Sequence, residues 1–359
     1  MITLSKQTLE LLDDIERRID PETEEDFTEQ WRDFLYDRFE GDVFQPSRKV
    51  LSPAGVELPY ININDAVEDY ELMLVSQLQN VSEALNQKHH NLAVRANYGT
   101  GIMSSLFGAP IFTMPREMDT LPTTRSFDDT DIICEIVEKG KPDLYNGFGR
   151  KVFEFGEICK EVFSKYPKIS KYVEVYHPDT QGPLDICELL WGSEMFYSMY
   201  DEPELVHGLL QLVTDTYTNF LNKWYELFPR NSEMNSHWVF LRHRGSILIR
   251  NDSAMNLSPD FYKEFAAPYD GELLKRFDGG AIHFCGRGDH YVEMLSSLEK
   301  LYGINMSQPH LNDMEKIYQN TVDKGIKILA FNDEWADKTI ERPGKFHHNM
   351  SILSERRIN

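Results

Sequence analysis

The chain has 359 residues, 41% of them hydrophobic and 27% charged, with a formal net charge of −22. This balance describes a globular protein of one large domain or two ordinary ones, and excludes a disordered chain. The acidity argues against nucleic acid and anionic membrane as partners, because a phosphate track needs a basic surface.

Apolar runs are too short to span a bilayer, and the first residues lead into an amphipathic pattern rather than a signal peptide, so the expected location is cytoplasmic. The four cysteines, Cys134, Cys159, Cys187 and Cys285, show no CxxC spacing and do not form a disulfide framework. Cys134 and Cys159 fall in helix-like patterns and are expected as small core residues.

Leu4, Leu11, Leu12, Ile15 and Ile19 recur at helical spacing, and Phe27, Trp31, Phe34, Leu35 and Phe39 mark a second helix. The aromatic stripe of that second helix is expected to pack on the main body or on a second subunit, which makes a homodimer one expectation. Pro46, Pro53 and Pro59 then interrupt the chain. Residues 1–60 therefore read as a helical extension with a connector, and 61–359 as the main domain. A long helix is predicted from Asp65, with Leu74, Leu78, Val81 and Leu85 on one side.

Beyond it, short apolar runs alternate with helical patterns. The runs cover 92–96, 110–113, 172–176, 238–241, 247–249, 281–284, 302–306 and 326–331. The clearest helix spans 202–228, and another opens with Ser258 as N-cap and Pro259 as first residue. Alternation of this kind predicts a mainly parallel α/β sheet. Polar groups follow most of the strands: Arg95, Asn97 and Tyr98; His177, Asp179 and Gln181; Arg242 and His243; Asp252; His283 and Cys285; Asn305 and Ser307; Asn332. Functional groups drawn from many strand ends favour a (β/α)8 TIM barrel over a doubly wound sheet, which would gather them at one switch point. Tyr98-Gly99-Thr100-Gly101 also lacks GxGxxG spacing.

His283-Phe284-Cys285 is the most informative stretch. Residues two apart in a strand face the same side, so imidazole and thiol project into one space and form a favourable pair for zinc. The alternative is a hydrogen-bonded histidine beside an inert thiol. Asp179 with Gln181 either contacts substrate or caps the helix near Pro183. Arg242, His243, Arg244 and Arg250 concentrate positive charge that either binds an anionic group or pairs with acids. His89-His90 and His347-His348 are adjacent pairs whose side chains diverge, so both are expected to be solvated.

Four segments in order resemble the uroporphyrinogen decarboxylase superfamily, which includes the methylcobalamin:coenzyme M methyltransferases. They are Asp179-Thr180-Gln181-Gly182-Pro183-Leu184-Asp185, Asp201-Glu202-Pro203-Glu204-Leu205-Val206, Asp252-Ser253-Ala254-Met255 with Leu257-Ser258-Pro259, and Ile282-His283-Phe284-Cys285-Gly286. The resemblance runs from about Asp65 to about Asn332 and implies a barrel with one cleft at its C-terminal mouth. No arginine-rich segment precedes the barrel, so a polycarboxylate tetrapyrrole would be poorly neutralised and the decarboxylase activity itself is not expected.

The methyltransferase branch is nearer. It implies zinc held by His283 and Cys285, and methyl transfer between a corrinoid carried on a partner protein and a small substrate. That branch uses a later cysteine as third ligand, and none follows Cys285. Asp252, His243, Glu334 or Cys187 could replace it. On this reading Asp179, His283 and Asp252 are the catalytic candidates. Arg95, Tyr98, Gln181, Arg242, Arg250, Asn305, Ser307 and Asn332 are the substrate-binding candidates. Two other readings stay open: a metal-independent lyase or decarboxylase of a small carboxylated substrate, and a barrel that binds a corrinoid without turnover.

Overall fold

A computed structural model describes residues 2–50, 53–339 and 350–352 of the chain. The pair His347-His348 lies outside the described residues. The N-terminal helices form where the apolar spacing predicts them. Helix Lys6–Arg18 is capped by Ser5, whose Oγ accepts the Thr8 N–H at 3.2 Å. Helix Pro21–Leu35 starts with proline at its first position, and Asp20 accepts the Thr23 N–H at 3.0 Å. Helix Pro203–Leu227 occupies its expected segment, whereas the helix expected from Asp65 is two, Ile63–Glu68 and Tyr70–Ala84, broken at Asp69, whose extended backbone and carboxylate cap the second. Ser258 caps its helix through the Phe261 N–H at 3.2 Å. No helix of the described residues is long and apolar enough to cross a membrane.

Eleven strands are described: β1 (Ala93–Val94), β2 (Ile111–Phe112), β3 (Thr123–Thr124), β4 (Glu174–Val175), β5 (Asn235–His237), β6 (Leu241–His243), β7 (Ile247–Arg250), β8 (Gly280–Phe284), β9 (Leu301–Met306), β10 (Lys327–Phe331) and β11 (Met350–Ile352). Strands β7 to β11 form one parallel sheet in chain order, and β1 pairs with β4 in a second parallel ladder. The architecture is mixed α/β with a parallel sheet. Among the described residues the backbone ladders do not join into a closed ring. Between β4 and β7 the link is a side chain: Leu248 N–H donates to His177 Nε2 at 3.1 Å.

Two expected parallel strands take other roles. The 110–113 run pairs antiparallel with β3. The 238–241 run is mostly the turn of the β5–β6 antiparallel hairpin. Its first residue, Trp238, has φ +55°, a left-handed conformation that stops the chain from continuing as a strand.

Alternation along the sheet separates two cores. Ile247, Ile249, Ile282, Ile304 and Ile328 pack with the surrounding helices and with Leu11, Leu12, Ile15 and Ile19 of the first helix. Leu248, Ala281 and Leu329 face the other way, and pack with Leu241 of the hairpin and with Phe27, Trp31, Phe34 and Phe44. Phe34 and Phe44 stack at 4.5 Å, with Trp31 set edge-on to Phe44 at 5.0 Å. The N-terminal helices thus share both cores with the main body. On the inner face, Arg250, His283 and Asn305 stand in register just beyond this apolar layer.

Candidate functional site

Adjacent parallel strands bring the first two of these side chains together, since Arg250 pairs with His283 and His283 with Asn305. Asn305 donates its amide to Leu329 O at 2.7 Å, so its Oδ1 is left to accept from His283 Nδ1 at 2.6 Å. That fixes the His283 proton on Nδ1 and turns the Nε2 lone pair outward.

Facing Nε2 are Cys285 Sγ at 3.4 Å and Asp252 Oδ1 at 3.4 Å. The same Asp252 oxygen accepts the Cys285 N–H at 2.6 Å, which holds the loop after β7 against the end of β8. One ligand atom from each of Asp252, His283 and Cys285 lies within 4.8 Å of the others. Of the four residues considered as a third ligand, Asp252 is the one that joins this group; Cys187 is buried in helix Pro183–Trp191. Tetrahedral zinc with nitrogen, sulfur and oxygen ligands has ligand–ligand edges of about 3.4–3.6 Å, from bond lengths of about 2.0–2.3 Å. The two 3.4 Å separations match those edges, and the donor set suits a borderline cation. The residues fit a metal.

Burial holds the His283 pKa below its ordinary value, against the opposing pull of the Asp252 charge. Burial also pushes the Cys285 thiol up; Asp252 adds to that, and the Ser307 hydroxyl at 3.4 Å opposes it. As it stands, the pair is a neutral imidazole beside a thiol, which is the state a cation would convert to a ligand pair by displacing the thiol proton.

A second cluster sits beside the first. Asp179 Oδ2 lies 2.8 Å from Arg250 Nη2 and 3.6 Å from Arg95 Nη1, and Gln181 donates to Asp179 Oδ1 at 2.6 Å. Gln181 has φ +60°. The next residue has to be glycine for a different reason, because a Cβ on Gly182 would lie 2.1 Å from Arg250 O. Asp179 therefore pairs with arginines, and no side chain caps the helix at Pro183. Two arginines around one aspartate leave net positive charge, and Arg250 Nε and Arg95 Nη1 have no hydrogen-bond partner among the described residues. The Arg250 guanidinium carbon is 4.7 Å above the Trp238 ring, and that ring meets His283 edge-on at 5.4 Å. Trp238 is thus the floor shared by both clusters.

The cleft beside Asp252 has a volume of about 400 Å³ and is lined by Thr100, Thr124, Gln181, Asp185, Glu188 and Asp252, among others. Asp185 is buried and accepts the backbone N–H groups of Asp252 at 3.0 Å and Ser253 at 2.8 Å. Glu188 accepts from the Ser253 hydroxyl. Burial, with the nearby Asp252 charge adding to it, pushes the Asp185 carboxyl up to about 7.

The structure therefore brings Asp179, Gln181, Arg95, Arg250, Asp252, His283, Cys285, Asn305 and Ser307 into one region. It places the others elsewhere. Tyr98 is fully buried, with its ring stacked on Phe148 at 5.8 Å. Arg242 lies in the β5–β6 hairpin and points towards Thr28 of the second helix, and Arg244 lies between the rings of Tyr36 and Tyr302. Asn332 is exposed and accepts the Trp335 N–H at 3.3 Å at the start of the next helix. Sequence reasoning assigned no role to Trp238 or Asp185. The second was signalled only by its place six residues after Asp179 in the same segment.

No family model matches the chain, and no curated protein does. Its fold is similar to that of a solved methyltransferase from Methanosarcina mazei, with a TM-score of 0.56 and 14% sequence identity over 84% of this chain and 81% of that one. At that identity the likeness concerns the fold.

Proposed function

We propose that the chain is a corrinoid-dependent methyltransferase-like enzyme that moves a methyl group between a corrinoid, carried on a partner protein, and a small substrate at a metal-assisted site. The observation that carries this reading is the convergence of Asp252, His283 and Cys285, with His283 oriented by Asn305, at the C-terminal ends of parallel strands. The fold likeness to a methyltransferase supports it. We place the sheet in a (β/α)8 barrel, supported by the two parallel ladders and by the His177–Leu248 link between them.

Asp252, His283 and Cys285 would hold the metal, and zinc fits the donor set. Bound zinc lowers the pKa of a thiol and so supplies a thiolate nucleophile at neutral pH. The protein's own groups do the rest. Asn305 keeps the His283 proton on Nδ1. Asp185 fixes the turn that carries Asp252. Arg95 and Arg250 present positive charge to an anionic group of the substrate, and Trp238 closes the space beneath.

Metal analysis of the untagged protein tests the reading. About one zinc per chain is expected, lost in both His283→Ala and Cys285→Ala, with thiols then screened as methyl acceptors against a methylated corrinoid. Folded wild-type protein that takes up no added zinc would rule the mechanism out.

A further inference from the structure

We infer that the cavity beside β4, which Arg242 and Glu174 both line, is a binding site for a small zwitterion of amino-acid size, with its carboxylate on Arg242 and its cationic group on Glu174. The cavity has a volume of about 330 Å³ and is lined by residues 170–177, which enter and run through β4, by Ser246 before β7, and by Thr28, Trp224, Tyr225 and Arg242. It therefore runs along β4 from its entrance, and none of Asp252, His283 and Cys285 lines it. Its volume falls near the lower end of ligand sites, which run from about 300 to 1,000 Å³.

Arg242 is the reason to expect a ligand. It is only 7% exposed, and its Nη1 reaches no better partners than Thr28 Oγ1 at 3.3 Å and Met234 Sδ at 3.9 Å. Its Nε has no partner, and no carboxylate of the described residues lies within the 4.0 Å reach of an ion pair. The Phe27 ring, 5.8 Å from the Arg242 guanidinium carbon, compensates only weakly; a buried guanidinium with no carboxylate in contact is unfavourable, and its planar fork is shaped for one.

The other charges around the cavity define what else the ligand must carry. Glu24 is neutralised by Arg48 at 2.5 and 2.7 Å, and Lys171 by Glu25 at 2.8 Å. His177 is buried and neutral, accepting from Leu248 N–H. Glu174 gives one oxygen to Ser236 N–H at 2.8 Å, and its other oxygen makes no hydrogen bond among the described residues. Among the acids that offset the burial of Arg242, Glu174 contributes most. A simple anion at Arg242 would be repelled by Glu174, and a simple cation at Glu174 by Arg242. A molecule with both charges satisfies both groups, and the rings of Trp224 and Tyr225 accept a short apolar side chain.

Calorimetric titration of the full chain tests this with glycine, L-alanine and L-valine, beside acetate and methylammonium as half-ligands. At least one amino acid is expected to bind one per chain, at least tenfold more tightly than either half-ligand. Arg242→Met and Glu174→Gln should each weaken it at least tenfold, while His283→Ala leaves it unchanged. Arg242→Lys keeps the charge but not the fork, and should also weaken binding; it carries the test where Arg242→Met does not fold. The inference is overturned if none of the three amino acids binds, if acetate binds as tightly, or if a folded Arg242 variant binds like wild type.

Discussion

Asp185 accepts the backbone N–H of Asp252 at 3.0 Å, from a helix that supplies none of the three candidate ligands. With its second bond to Ser253 N–H, this carboxylate sets the turn on which Asp252 stands. In Asp185→Asn, an amide nitrogen would face one of those N–H groups and the turn would loosen. Zinc affinity should then fall by about 10–100-fold, the range seen when groups behind metal ligands are removed. Competition with a chromophoric chelator measures this, and unchanged affinity would show that Asp252 is placed without Asp185.

Asn305 makes a sharper comparison. Asn305→Ala removes the acceptor that holds the His283 proton on Nδ1, so zinc binding should weaken by about 10-fold or more. Asn305→Asp keeps the acceptor for His283 but sets its second oxygen against Leu329 O, so it should lose less zinc affinity than Asn305→Ala. Equal losses in the two variants would mean that packing, rather than the hydrogen bond, orients the ring.

Asp179→Asn should destabilise the fold by about 3–5 kcal/mol, the range for removing one partner of a buried ion pair. Asp179 is buried and is the acid between Arg95 and Arg250. Urea unfolding gives the number. A change below about 1 kcal/mol would place the guanidinium charges in solvent contact.

His177 predicts a pH dependence. Burial lowers its pKa from 6.5 to about 4, and its Nε2 accepts a backbone N–H, which protonation would forbid. The unfolded chain binds the proton first, so stability is full above about pH 6.5 and declines as pH falls towards 4. The loss is about 3 kcal/mol at most, at about 1.4 kcal/mol per pH unit. Unfolding free energies at pH 7 and pH 5 should differ less in His177→Gln than in wild type, and an identical difference would contradict the assignment.

What the sequence made legible follows from periodicity. His283 on an apolar strand, with Cys285 just past its end and Asp252 just past another, was readable because side-chain direction in a strand is fixed by position. The N-terminal helices were readable from their caps and apolar spacing. The hairpin was not. A tryptophan with positive φ carries no local signal, so the run from Trp238 read as one more parallel strand. That error set Arg242 at the exit of a parallel strand like Arg250, whereas it lies within the antiparallel hairpin. Tyr98 read as a strand-end group because hydropathy does not distinguish a ring at the mouth of a cleft from one in the core. The role of Asp185 depends on a long-range contact with backbone amides, which no local pattern encodes.

Phe27, Trp31, Phe34 and Phe44 lie far before the first candidate ligand in the chain, yet they cover the inner face from which His283 and Arg250 rise. Trimming the protein to the portion that carries every candidate ligand would not yield a minimal catalyst. It would leave an open well lined by leucine and alanine, into which water could enter directly beneath the tryptophan floor. The front of the polypeptide is, in this sense, the foundation of chemistry assigned to its far end.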